Sequence, residues 1–197
     1  MKKTSIIQFI AVLLISLSVP AYGKEHIPAQ LVTAITLKAL NYDRSLDERV
    51  QDRLVIGILY SHNDKNQKQY ADKIYKSITK IQSNFTIRKF PIKAELIGVT
   101  GEQVAQNESL PTLFREKNVN ALLIITKDTH IVDAAIHTTR VLKINSICMN
   151  KQSLTRGVGI ALIEQNNKPK LWVNIEAIKE EGSAYSGKFL GICTKFR

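Results

Sequence analysis

An α/β fold, with a mostly parallel sheet covered by helices on both faces and an antiparallel hairpin towards the C-terminus, is predicted by three patterns in the 197-residue sequence. Apolar runs of strand length occur within Arg53–Tyr60 and Val119–Thr126, the pattern of strands buried on both faces, and Asn145–Met149 reads as a further short strand. Segments of helical periodicity alternate with them, and Lys65–Ile81 and Thr129–Lys143 have the length that a crossover between parallel strands needs. Near the end, two strand-like runs flank Gln165-Asn166-Asn167-Lys168-Pro169, a cluster of turn formers suited to a hairpin.

The first element is not part of the fold. Met1-Lys2-Lys3-Thr4 is basic, Ile6 to Val19 is apolar apart from Gln8, Ser16 and Ser18, and Pro20 precedes the small residues of Ala21-Tyr22-Gly23. Spanning a bilayer takes about 20 apolar residues, so this run is short for an anchor and fits an export signal cut after Gly23. Residues 1–23 are therefore expected to be a signal peptide, and residues 24–197 a single domain acting in the periplasm.

Pro28 to Tyr42 predicts a largely buried helix, because Leu31, Val32, Ile35, Leu37 and Leu40 wrap most of its circumference. Asn41 to Ser45 breaks it, and Arg53–Tyr60 is the central strand. Over Lys65–Ile81 the apolar side is Tyr70, Ala71, Ile74, Ile78 and Ile81, and the opposite side is Lys65, Lys68, Lys73, Lys76 and Lys80. Phe85–Ile92 is a strand with an edge character, since Pro91 cannot donate to a ladder, and Leu96–Val99 extends or pairs with it. Glu102–Lys117 is a weaker helix whose second half Pro111 can start. Strand Val119–Thr126, helix Thr129–Lys143 and strand Asn145–Met149 complete the alternation, which right-handed crossovers turn into a Rossmann-like sandwich. Strands Gly157–Glu164 and Lys170–Ile175 form the hairpin, and Glu176–Phe196 reads as a final helix weakened by Gly182, Ser183 and Gly187.

The formal net charge is +11, of which Lys2 and Lys3 carry two. A basic surface attracts acidic partners or anionic headgroups at long range, and export argues against nucleic acid. Cys148 and Cys193 would pass into a disulfide-permissive compartment, where a bridge closing a loop of about 46 residues adds on the order of 3 to 4 kcal/mol. Two buried thiols are the alternative, since free cysteine packs as a small hydrophobe.

No nucleophile elbow, paired carboxylates or metalloprotease motif occurs, so neither an enzyme nor a cofactor is expected. His130, Asp133 and His137 share one helix face, but the histidines are seven residues, about 10.5 Å, apart along the axis and cannot ligate one ion. Arg156-Gly157-Val158-Gly159 leads into a strand and does not open a helix, so it is no phosphate loop. Open α/β sheets place ligands at the carboxyl ends of their strands, where the loops His62-Asn63-Asp64 and Thr126-Lys127-Asp128-Thr129 stand. His62, Asn63, Lys127 and Asp128 are the candidate polar contacts of a small-molecule cleft; the competing role for Asn63 or Asp64 is to cap the next helix. The lysine face Lys65, Lys68, Lys73, Lys76 and Lys80 is a candidate docking face for an acidic domain or a membrane surface, against the plain reading of a solvated helix side.

Ile144–Met149, Gly157–Leu162, Leu171–Ala177 and Glu181–Leu190, together with Leu37-Lys38-Ala39 followed by Leu54–Tyr60, resemble the YfiR family of exported bacterial proteins over nearly the whole chain. Asn41-Tyr42-Asp43-Arg44 stands where that family usually has an aromatic Trp-Pro element, and the cysteines do not match the placing of its known bridges. The resemblance implies a periplasmic inhibitor, homodimeric, that binds the sensory domain of an inner-membrane diguanylate cyclase and lowers cyclic-di-GMP output. The alternative drawn from the residues is a periplasmic small-solute-binding protein.

Overall fold

A computed structural model describes residues 27–105 and 109–196; the expected export signal lies outside the described residues. Helix α1 (Ala29–Asn41) follows Pro28, whose fixed φ suits a helix start, and buries Val32, Thr33, Thr36, Leu37 and Leu40. A single turn not anticipated from the sequence, α2 (Leu46–Arg49), leads into β1 (Leu54–Ser61), in which Leu54 to Tyr60 are all buried. Helix α3 (Lys65–Thr79) buries Tyr70, Ala71, Ile74 and Ile78 and leaves its lysines in solvent, as its periodicity predicts.

Strands β2 (Thr86–Ile87) and β3 (Phe90–Val99) make a short antiparallel pair before β3 joins β1. Pro91 lies opposite Thr86, ahead of the register Leu54↔Ile92 at which the main ladder begins, so its missing N–H leaves that ladder whole. Helices α4 (Gly101–Ala105) and α5 (Ser109–Glu116) follow, with Pro111 in the first turn of α5 where no intrahelical donor is needed. Then come β4 (Ala121–Ile124), α6 (Thr129–Leu142), β5 (Asn145–Cys148), α7 (Lys151–Arg156) and β6 (Ile160–Gln165). A two-residue turn joins β6 to β7 (Lys168–Asn174), and Asn166 and Asn167 take φ of 53° and 56°, the left-handed pair a type I′ hairpin requires.

The expected final helix is replaced by α8 (Ile175–Glu180), α9 (Gly187–Ile192) and a strand, β8 (Thr194–Phe196), that pairs with β7. Gly182, at φ +71°, ends α8 so that Glu181, Ser183 and Tyr185 can all turn inward, which a continuous helix would forbid. The sheet order is β2-β3-β1-β4-β5-β6-β7-β8; β3, β1, β4, β5 and β6 run parallel and β7 reverses. Side-chain alternation divides the interior into two cores. Ile56, Ile58, Leu123 and Ile147 face α1, α3 and the C-terminal segment, while Leu59, Leu122, Ile124 and Cys148 face α5, α6 and α7.

That division corrects the expected disulfide. The register Cys148↔Ala161, Ala161↔Trp172, Trp172↔Thr194 puts three strand spacings, about 14 Å, between Cys148 and the neighbourhood of Cys193. The two side chains also belong to opposite cores, and a bridge needs Cα atoms within about 7 Å. Both cysteines are free thiols. Burial pushes the Cys148 thiol up to about 12 and the Cys193 thiol up to about 11.

A buried polar network anchors the C-terminal segment. Asp43 accepts hydrogen bonds from Arg49, from the Ala184 N–H (2.8 Å) and from Asn145 Nδ2 (2.9 Å); Asn145 Nδ2 also lies 2.8 Å from Ser183 Oγ and 2.9 Å from Tyr185 Oη. Beside it, the Glu181 carboxyl accepts from the Ser146 N–H (3.0 Å) and the Ser146 hydroxyl. Burial drives that carboxyl up to about 8 despite those bonds.

Candidate functional site

From β1 the chain crosses first to β3 on one side and later to β4 on the other, so the loops leaving β1 and β4 diverge and open a crevice at their carboxyl ends. A cleft of about 510 Å³ lies at this end of the sheet, within the usual size range for small-molecule sites. Three connections and one strand build its wall: Asp64, Asn66, Gln67 and Tyr70 after β1, Ile125 and Lys127 after β4, Met149, Asn150 and Lys151 after β5, and Ile163 and Glu164 on β6 itself.

Local chemistry sorts these residues into fixed walls and free contacts. Asp64 caps α3: its Oδ1 accepts from the N–H groups of Asn66 (2.9 Å) and Gln67 (3.0 Å), and its Oδ2 from Gln67 Nε2 (2.9 Å). Gln67 Oε1 in turn accepts from the Ser61 N–H at 3.0 Å, so the whole turn is held and its carboxylate is spent. The Tyr70 hydroxyl donates to the Ile27 carbonyl, and burial raises its pKa well beyond the ordinary phenol range. Asn150 caps α7 with Oδ1 (2.8 Å to the Ser153 N–H), but its Nδ2 is buried without a hydrogen-bond partner. An unsatisfied buried donor costs about 1 to 3 kcal/mol. Lys151 sits with Nζ 5.4 Å from the centre of the Trp172 ring.

The result is an apolar floor of Ile27, Tyr70, Ile125, Met149 and Ile163 beneath a rim of two cations, Lys127 and Lys151, with Glu164 as the exposed carboxylate. Cys148, just below, donates its S–H to the Asn150 carbonyl at 3.2 Å and is held as a thiol, unfit as a nucleophile. Among the described residues no group of three His, Cys, Asp or Glu side chains is placed to hold a metal ion.

Of the residues named from the sequence, Lys127 lines the cleft. His62 and Asn63 are exposed at the same end of the sheet but outside the lining. Asp128 caps α6, accepting from the His130 N–H at 3.0 Å, with its own N–H donating to Thr126 Oγ1 at 3.1 Å. Asp64 and not Asn63 is the cap of α3. Asn150, Lys151 and Glu164 were missed; the rule that pointed to the ends of β1 and β4 applies equally to β5 and β6. His130, Asp133 and His137 are exposed, and Asp133 is engaged by Arg156. Lys65, Lys68, Lys73, Lys76 and Lys80 are all exposed, and the last three border a second groove, of about 880 Å³, between α3 and the start of α1. No helix among the described residues is long and apolar enough to cross a membrane.

No family model and no curated protein matches the sequence. Solved structures do match the fold. An ABC domain from Streptococcus pneumoniae in complex with L-Trp superposes with a TM-score of 0.62 at 13% identity, covering 86% of this chain and 60% of that one. A conserved domain protein from Vibrio cholerae gives 0.61 at 14% identity, with 86% and 60% covered. A substrate-binding protein with adhesive properties from Clostridium difficile, in its ligand-free open form, gives 0.56 at 14% identity, with 81% and 59% covered. This chain thus spans about 60% of the length of the proteins it resembles, and at such identities the likeness shows the α/β fold alone.

Proposed function

We propose that this protein binds a small organic solute, without chemical turnover, in the cleft at the carboxyl ends of β1, β4, β5 and β6. The observation that carries the reading is the apolar floor beneath the cations Lys127 and Lys151, with the buried, unpartnered Asn150 Nδ2 in the same wall. That arrangement suits a ligand with an anionic or carbonyl head and an apolar body. The fold shared with a substrate-binding protein supports the same direction. The export signal expected from residues 1–23 supports a role outside the cytoplasm. A second reading, a regulator that docks on a membrane-bound signalling protein, draws on the exposed lysines of α3 and on the resemblance to exported regulators; it is compatible with solute binding, since a ligand that prefers one conformation can bias docking.

A thermal-unfolding screen tests the solute reading with amino acids, dicarboxylates and aliphatic carboxylates as probes at about millimolar concentration. A bound solute at a hundred times its Kd stabilises the folded state by about 2.7 kcal/mol, a shift of several degrees. Asn150→Ser retains the cap of α7 but removes Nδ2, and Lys127→Ala removes one rim cation; each is expected to cut the shift while leaving unliganded stability close to the parent. A screen in which no probe class moves the transition overturns the reading.

A further inference from the structure

The groove between α1 and α3 is chemically distinct from the cleft, although Ile27, Asn66 and Tyr70 contribute to both. Among the described residues its charged lining is Lys73, Lys76 and Lys80, with no carboxylate. At 100° per residue the three lysines fall within an arc of about 60° and run about 10.5 Å along the helix axis. None of them makes an ion pair or hydrogen bond among the described residues, whereas Lys93 and Lys117 both pair with Glu95 and Lys143 bonds the Glu180 carbonyl. Like charges at i, i+3 and i, i+4 weaken a helix, and on α3 only Asp72, four residues from both Lys68 and Lys76, offsets them. Lys76 in the last turn and Lys80 at the C-cap lie where the helix C-terminus favours a cation, whereas Lys73 does not. Lys65 and Lys68 prolong the stripe to the other end of α3, over about 22 Å in all. The facing wall, at the start of α1, has no acidic residue in its first turn.

A row of charge matches a linear anion better than a compact one. In an extended chain alternate residues lie about 6.6 Å apart, close to the axial steps of about 4.5 and 6 Å between successive lysines. The groove also carries apolar surface, from Ile27, Pro28 and Ala29, that a peptide can cover and an inorganic anion cannot. We infer that the groove between α1 and α3 docks an extended acidic segment of a partner protein, with Lys73, Lys76 and Lys80 as its principal contacts.

Fluorescence anisotropy with a short labelled peptide of alternating Glu and Ser, titrated with the purified protein at low and at physiological ionic strength, tests this. Binding is expected to weaken with salt, and to fall by about tenfold or more in K73E/K76E/K80E. The charge-matched control K168E/K170E/K195E, altered on exposed positions of β7 and β8, is expected to lose less than about threefold. K73Q/K76Q/K80Q repeats the comparison should reversal disturb the fold. Equal losses in the two triple-reversal variants, or binding to phosphatidylglycerol vesicles without binding to the peptide, overturns the inference.

Discussion

Glu181 is a buried carboxyl whose chemistry departs far from its ordinary range. Its carboxyl is buried against Ser146, Thr139 and Gly159, with Arg140 as the nearest opposing charge, and desolvation outweighs those favourable contacts. The folded chain therefore keeps a proton to about pH 8 that the unfolded chain releases near its ordinary value of 4.5. Between those limits the unfolded state binds fewer protons, so stability falls as pH rises through this window and is fullest below it. Each pH unit removes at most on the order of 1.4 kcal/mol. Urea unfolding at pH 5 and pH 8 is expected to show the loss, and Glu181→Gln to flatten it. The cysteines make a second residue-scale prediction. Thiol titration of the denatured, unreduced protein should find both Cys148 and Cys193 free; finding neither would mean that the two cores had rearranged.

At the level of elements, α3 is the segment that local rules describe best. Asp64 and Gln67 form the two halves of a capping arrangement, and the apolar and lysine faces follow helical geometry. Asp64→Ala is expected to cost about 1 kcal/mol in chemical denaturation, whereas Asn63→Ala, at an exposed position that caps nothing, should cost little. The hairpin turn at Asn166 and Asn167 is equally local, because the two residues tolerate the left-handed conformation the turn demands. The C-terminal region behaves oppositely. Its composition permits a helix from Glu176 onwards, yet contacts made far away in sequence divide it into α8, an inward-turning segment, α9 and β8. Single turns such as α2 and α7 were also invisible in periodicity, since four to six residues complete too few turns to show it.

For the molecule as a whole, the network around Asn145 joins parts of the chain about a hundred residues apart in sequence: Asp43 and Arg49, β5, and Ser183 with Tyr185. Asn145→Ala leaves several buried polar groups without partners and is expected to cost about 3 kcal/mol or more in urea unfolding; a loss below about 1 kcal/mol would show that the network contributes little. By itself the sequence determined the α/β class, the parallel core of the sheet, the hairpin and the lysine face of α3, because each follows from short-range periodicity or from turn chemistry. Only the tertiary structure decided that Cys148 and Cys193 lie on opposite faces, that the tail forms a strand, and that Asn150, Lys151 and Glu164 join Lys127 around one cleft. Strand order and register are set by packing between distant segments, and no local pattern encodes which loop ends meet.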